Sequence, residues 1–273
     1  LESITVYNND FSGVATRYVN ISAKKAEPGK KVIYKSGNRK EIVSTKAFEL
    51  TENLTFNMLC DEDIAILNKA KRIGKYNLSD SMWALGIVTG DNKNKLFAEP
   101  GVQREKIYTG REIESYRLKC AKNYIVYDPK NLQQTAKEEI YRADEKLVYK
   151  FISDRLVFAY DDSGALFLNS ANILIPKIPG MSVKTVMAFL NSELYSYFYR
   201  KLFGEVKVLK GNLINLPFAR IDSSLNEKTD RLAERVIHEV SDDVEEELQS
   251  LIYQVFEMTE SEIKHIKSEL KRK

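Results

Sequence analysis

Histidine, cysteine and tryptophan are scarce in these 273 residues: two His, two Cys and one Trp. Two histidines and two cysteines cannot supply a multi-zinc site, a disulfide framework or most histidine-based catalytic constellations. With Cys60 and Cys120 as the only thiols, a reducing cytoplasm is the expected compartment. No apolar run approaches the roughly 18 residues of a membrane helix, and no signal peptide opens the chain. Gly-x-Gly-x-x-Gly and Gly-x-x-x-x-Gly-Lys phosphate loops are missing too. The first residue is Leu1 rather than Met, so a piece excised from a longer protein is expected.

What is present is ordinary at first sight. Hydrophobic residues make up 43% and charged residues 30%, the balance of a globular protein with a core. The length suggests about two domains. The formal charge of +3 hides a split, however. Residues 221–273 hold 14 acids and 8 bases, a balance of −6, which leaves +9 on the first 220 residues. A basic body suggests an anionic partner, and the acidic tail does not share it.

Residues 1–50 read as short β runs (Val6–Tyr7, Tyr18–Ile21, Val32–Tyr34, Ile42–Val43) separated by turns at Pro28-Gly29 and Ser36-Gly37-Asn38. They predict a β-meander with a basic surface that includes Lys24, Lys25, Lys30, Lys31, Lys35, Arg39, Lys40 and Lys46. A helix is expected over 61–73, capped by Asp61 and stopped at Gly74. Mostly β-like sequence follows from 75 to 180. There Val157–Tyr160 and Ala165–Leu168 flank an Asp-Asp-Ser-Gly turn and predict a hairpin. Apolar residues from Val183 to Leu202 recur at helical spacing, predicting one amphipathic helix over 182–203 that ends at Gly204. Beyond 221 three helices are expected: Leu232, Val236 and Val240 mark the first, and Asp242 and Asp243 start the second. The third has a Thr259–Glu262 capping box and ends on Lys271, Arg272 and Lys273. This helical tail should pack as a small unit against the aromatic helix. The expected architecture is α+β: a mixed, mostly antiparallel β body (51–220) with a few helices, after a β-rich segment (1–50) and before a C-terminal helical unit (221–273).

Catalytic chemistry is hard to find. His238 and His265 fall on the acidic tail helices, far from either cysteine, and read as surface helix positions. Glu-x-Lys, a spacing used by metal-dependent nucleases, occurs at Glu205–Lys207, Glu262–Lys264 and Glu269–Lys271. Composition alone predicts roughly two or three such matches, and none follows Pro-Asp. Asn215-Leu216-Pro217-Phe218 approaches the Asn-Pro-Pro-Tyr/Phe loop of amino-directed DNA methyltransferases, but Leu216 replaces the first proline and no cofactor loop accompanies it. The fragment is expected to carry no catalytic residue, metal or cofactor of its own.

Several segments, in order, resemble the TaqI-like C-terminal specificity domain. Trp83-Ala84-Leu85-Gly86-Ile87-Val88-Thr89-Gly90, with Asn92 and Phe97, is similar to the family's Gly-Ile-x-Thr-Gly-x-Asn stretch. Gly110-Arg111-Glu112-Ile113-Glu114-Ser115-Tyr116, the strand Tyr124–Tyr127 and Phe158–Ile175 with Asn169 and Asn172 follow. Leu190–Phe198, Lys207–Gly211 to Pro217, and Ile252–Thr259 with Glu262, Ile263 and Ile266 resemble the closing elements. Residues 1–45, with Phe11, Val14, Thr16 and Ile21, resemble the last β-hairpin of a methyltransferase domain. The resemblance implies a target-recognition domain that follows the catalytic domain of an adenine-specific DNA methyltransferase, with or without a fused nuclease, in a Type II restriction–modification enzyme. It implies S-adenosylmethionine for the missing catalytic domain, which would flip and methylate the target base.

The residues themselves point the same way. DNA affinity needs Lys and Arg for phosphates, and base readout needs forked or amide side chains. Both occur on turn-rich sequence: Asn92, Lys93, Asn94, Lys95, Arg104, Lys106, Arg111, Arg117, Lys119, Arg155, Asn169, Asn172, Lys207 and Lys210. Arg111 and Lys210 are the expected phosphate anchors. Asn92, Asn94, Asn169, Asn172 and Arg155 are the expected base readers. Double-stranded DNA and a methyltransferase domain of the same chain are the expected partners, with no membrane. The alternatives are a metal-dependent nuclease built on Glu205 and Lys207, or a protein-interaction module using the acidic helices.

Overall fold

The computed structural model describes residues 1–7, 18–27, 29–50, 56, 58–204, 207–239 and 241–271. Of the residues named from sequence, Phe11, Val14, Thr16, Pro28, Glu205, Val240, Arg272 and Lys273 lie outside the described residues, as does the Arg39 side chain. The chain resolves into two compact units, residues 1–69 with 201–204 and residues 70–200 with 205–273.

In the first unit β1 (Ser3–Tyr7), β2 (Tyr18–Ser22), β3 (Lys31–Ser36) and β4 (Arg39–Ser44) form a sheet in the order β2-β1-β3-β4. The expected meander is corrected: β1 and β3 run parallel, and the other pairs are antiparallel. Ile4 of β1, Val32 of β3 and Val43 of β4 are buried on one face. Val19 and Ile21 of β2 stay exposed at the edge. The Gly37-Asn38 turn is where the sequence puts it, with Gly37 at φ +55° and Ser36 opposite Arg39.

Helix α1 (Asp61–Ile73) has the expected bounds, but Cys60 rather than Asp61 caps it. The Cys60 N–H donates to Asp63 Oδ2 (3.1 Å) and the Asp63 N–H to Cys60 Sγ (3.5 Å), a reciprocal pair. Gly74, expected as the helix stop, begins β5 (Gly74–Tyr76), which pairs with β14 (Phe218–Ala219). Glycine is needed there because a Cβ would lie 2.3 Å from Pro217 Cβ.

Two four-stranded sheets dominate the second unit. One is fully antiparallel, in the order β11 (Phe158–Asp161), β10 (Lys146–Lys150), β13 (Ala171–Ile175), β6 (Met82–Leu85). The other runs β12 (Leu166–Phe167), β8 (Arg104–Tyr108), β9 (Asn123–Val126), β7 (Leu96–Phe97). Only β12 and β8 are parallel in it. Ile107, Ile125, Val148, Phe167 and Ile173 from both sheets share one core with Tyr141 from outside them. The class is therefore α+β, as expected.

The hairpin predicted around residue 161 is corrected. β11 pairs with β10, and β12 joins the other sheet. Asp161 redirects the chain: its carboxylate accepts from Ser163 Oγ (2.6 Å) and the Ala165 N–H (3.1 Å). The same carboxylate forms a buried ion pair with Lys146, directly opposite on β10, at 2% and 0% side-chain exposure. The Lys146 ammonium also donates to Tyr141 O (2.7 Å). Burial pushes the Lys146 ammonium below the ordinary lysine value, against the pull of Asp161.

The single helix predicted over 182–203 is two, α4 (Val183–Asn191) and α5 (Glu193–Phe203). Ser192 breaks it, accepting the Tyr195 N–H at Oγ (3.2 Å) while Asn191 clamps the Phe158 N–H and C=O (2.8 and 2.9 Å). After the short α2 (Asn92–Lys95), α3 (Glu138–Tyr141) and α6 (Lys210–Leu213), the tail forms α7 (Ser223–His238), α8 (Asp242–Val255) and α9 (Glu260–Lys271). The predicted capping box holds: the Thr259 N–H donates to Glu262 Oε2 (2.8 Å) and the Glu262 N–H to Thr259 Oγ1 (3.3 Å). α7 packs on α4, and Phe256 meets Phe189, Tyr195 and Phe198 at centroid distances of 6.5, 6.0 and 5.7 Å. Among the described residues no helix is long and apolar enough to cross a membrane.

Candidate nucleic-acid interface

The chain passes from one large sheet to the other at residues 168–170, between β12 and β13. Backbone bonds fix this crossing to three neighbours. The Leu168 N–H donates to Tyr108 O (2.8 Å), Asn169 N–H to Ile87 O (3.1 Å) and Phe151 N–H to Ser170 O (3.2 Å). Two glycines permit the approach. A Cβ on Gly86 would lie 2.2 Å from Leu168 O, and one on Gly110 would lie 2.7 Å from Ser170 O. The Gly-Ile-x-Thr-Gly-x-Asn stretch is thus a packing and turn device. Gly90 sits at φ +78°, and Thr89 Oγ1 donates to Asn92 Oδ1 (2.5 Å) and accepts the Asp91 N–H (3.1 Å).

Around the crossing opens a cleft of about 770 Å³, walled by Asn92, residues 109–112, Lys122, Asn123, residues 150–152 and residues 168–170. Its cations are Arg111, Lys122 and Lys150; its one carboxylate is Glu112. Glu112 is buried, and its carboxylate is occupied by the Thr109 N–H (2.7 Å) and hydroxyl (2.6 Å). That local turn leaves Arg111 exposed, with its N–H on Thr109 Oγ1 (3.1 Å). Lys207 bridges to Ile152 through the backbone, and the Val208 N–H donates to Phe151 O (2.8 Å). Among the described residues, Arg111, Lys122, Lys150, Lys207 and Lys210 have no side-chain hydrogen bond or ion pair. The cleft therefore offers uncommitted cations beside the amides Asn92, Asn123 and Asn169.

Asn92, Arg111 and Asn169 come together here, with Lys207 at the margin and Lys93 and Lys210 exposed nearby in sequence. Other predicted contacts hold loops together instead. Asn94 donates its side-chain amide (2.6 Å) and its N–H (3.2 Å) to Asp91, holding that carboxyl below its ordinary value. Lys95 donates to Thr89 O (2.7 Å) and Asn131 O. Arg104 donates to Glu99 O (3.2 Å) and lies 3.7 Å over the Phe97 ring. Lys119 pairs with Glu114 (2.6 Å). Asn172 is buried on β13, where its Oδ1 has no hydrogen-bond partner among the described residues. Arg117 donates to Val236 O (3.2 Å). With Arg155 it lines a second cleft, which includes Glu114, Asp154, Asp242, Glu245 and Glu246. Irregular turns need side-chain bonds to satisfy their backbone, which is why polar loop residues so often face inward.

Lys122, Asn123, Lys150 and Ser170 were missed. Lys150 ends a strand of otherwise buried residues, and only the β10–β13 pairing brings it beside Asn169. The decoys have structural explanations. Phe218 is fully buried, so it cannot stack on an extruded base. Asn215 bonds Gly211 O (3.0 Å), and Glu262 serves its cap. His238 is exposed and pairs with Glu234 (2.8 Å), whereas His265 is half-buried with its ring edge-on to Tyr197.

Residues 105–218 match the model of the TaqI-like C-terminal specificity domain. Over 111 residues the chain is 32% identical to the Type II methyltransferase M.VspI of Vibrio sp. (strain 343), an alignment covering 39% of this chain and 27% of that protein. The fold resembles that of the Type IIL restriction-modification enzyme MmeI, whose structure was determined in complex with DNA. The TM-score is 0.58 at 10% identity, over 99% of this chain and 45% of MmeI. The chain thus spans less than half the length of either relative.

Proposed function

Because residues 105–218 match the model of the TaqI-like C-terminal specificity domain, we propose that this chain is the sequence-specific duplex-DNA recognition part of a restriction–modification enzyme. An adenine-specific methyltransferase domain of the same parent supplies catalysis with S-adenosylmethionine, in the cytoplasm. The carrying observation is the cleft at residues 168–170, where uncommitted cations surround three amides on a backbone locked by hydrogen bonds. Arg111, Lys122, Lys150, Lys207 and Lys210 take phosphates; Asn92, Asn123 and Asn169 take base edges. Five such cations give a slope of log affinity against log salt of at most about −4 to −5, at about 0.9 per phosphate.

Fluorescence anisotropy with duplexes selected from a random pool, between 50 and 200 mM salt, tests this. A steep salt slope with a selected consensus is expected; salt-independent binding, or no binding at low salt, refutes it. Arg117 and Arg155 join the duplex surface less readily, because acids of α8 share their cleft. No observation favours the nuclease or the protein-interaction reading over this one.

A further inference from the structure

One cleft residue does not fit a purely polar, phosphate-binding wall. Ile152 is 64% exposed, yet it lines the cleft between Lys150 and the Lys207 bridge. Its position is firmly held. Phe151 donates to Ser170 O and accepts from the Val208 N–H, and Ile152 itself bridges Lys207. A β-branched side chain on such a backbone has little rotamer freedom, so it presents a fixed apolar surface. Its neighbour across the gap is informative. The β10–β13 register ends at Lys150 opposite Ala171, and the Phe151–Ser170 bond carries it one step further. Ile152 and Asn169 are the next residues on the two chains, and both line the cleft.

An exposed apolar side chain next to an exposed amide matches one feature of duplex DNA. In the major groove an A·T pair presents the adenine N7 acceptor and N6 donor beside the thymine C5-methyl. An amide bonds the first two groups bidentately, and an aliphatic side chain covers the third. We propose that Ile152 and Asn169 together read one A·T base pair, Asn169 on the adenine edge and Ile152 on the thymine methyl. This rests on the duplex recognition proposed above and assigns it one base pair. Lys150 and Lys207, on either side, hold the flanking phosphates.

The full chain is first used to select a consensus duplex, and each thymine is then replaced singly by deoxyuridine, which removes only the methyl. One replacement should weaken binding about threefold to fivefold, the worth of one buried methyl-sized group. Ile152→Ala should abolish that penalty at that position alone, and Ile152→Val should keep part of it. Asn169→Ala should lose selectivity for the adenine of the same pair. A consensus with no deoxyuridine penalty, or a penalty that survives Ile152→Ala, overturns the proposal. So does an Ile152→Ala loss spread evenly over all sequences, which would mark a wedge between base steps. Absence of any salt-dependent duplex binding removes the recognition function itself, a distinct result. Matching circular dichroism melts for the variants keep misfolding out of the comparison, since Ile152 is largely in solvent.

Discussion

Replacing Asp161 by alanine strands the Lys146 ammonium in a site with no solvent exposure. One neutral acceptor remains, Tyr141 O at 2.7 Å, with the Phe167 ring 5.7 Å away. Breaking a buried pair from one side costs about 3–5 kcal/mol, because the remaining charge is desolvated and unpaired. Lys146→Met should cost less, about 2 kcal/mol, since the Asp161 carboxylate keeps donors from Ser163 and Ala165. The double variant should then be better than the sum of the singles by about 2 kcal/mol. The pH dependence has a definite sign. Without Asp161 only the weaker pull of Asp162 opposes the burial that already lowers the Lys146 pKa, so the folded state sheds its proton at lower pH than the unfolded chain. The unfolded state then binds more protons, and Asp161→Ala stability rises with pH between the folded value and about 10.4, by at most about 1.4 kcal/mol per unit. Below the folded value the dependence disappears. Urea unfolding from pH 6 to 10 can be followed by the one tryptophan, Trp83, which sits on the same sheet with its ring 6.2 Å from Tyr149. A cost under about 1 kcal/mol, additive singles, or stability that falls with pH would refute the account. The pair matters to the proposed recognition because β10 ends on Lys150, which lines the cleft two residues before Ile152.

Three further outcomes are expected. Gly86→Ala places a Cβ against the Leu168 backbone and should cost about 1–3 kcal/mol in urea unfolding while weakening DNA binding; a neutral substitution would mean that the crossing shifts freely. Tyr116→Phe removes a buried hydroxyl with no partner among the described residues. It should leave stability unchanged or raise it by up to about 1 kcal/mol, and a clear loss in a thermal melt would reveal an unseen partner. Lys210→Ala should weaken all duplexes alike and shallow the salt slope by about 1, whereas a sequence-selective loss would contradict a phosphate role.

Local patterns were legible where one element decides its own structure. The Thr259–Glu262 box, the 61–73 helix and the Gly37 turn needed only nearest neighbours along the chain. The failures share a cause. Ser192 and Asn191 interrupt a smooth apolar period because Asn191 answers to the Phe158 backbone, far away in sequence. Residues 158–168 have hairpin chemistry, but Asp161 serves a buried lysine and β12 joins another sheet. The same holds for the cleft. Arg111 and Asn169 could be picked from turn-rich sequence, while Lys150 and Asn123 belong to strands whose partners set their exposure.

The crossing at residues 168–170 separates two jobs that most binding sites entangle. Its geometry is enforced by main-chain bonds and by glycines at 86 and 110, none of which involves the side chains of Asn92, Asn123, Ile152 or Asn169. Asn123, Ile152 and Asn169 can therefore change identity one at a time without disturbing the ladders that display them, whereas Asn92 also closes its turn by accepting from Thr89 Oγ1. Under the recognition proposed above, changes of target would need only a small alphabet rewritten on an unchanging frame.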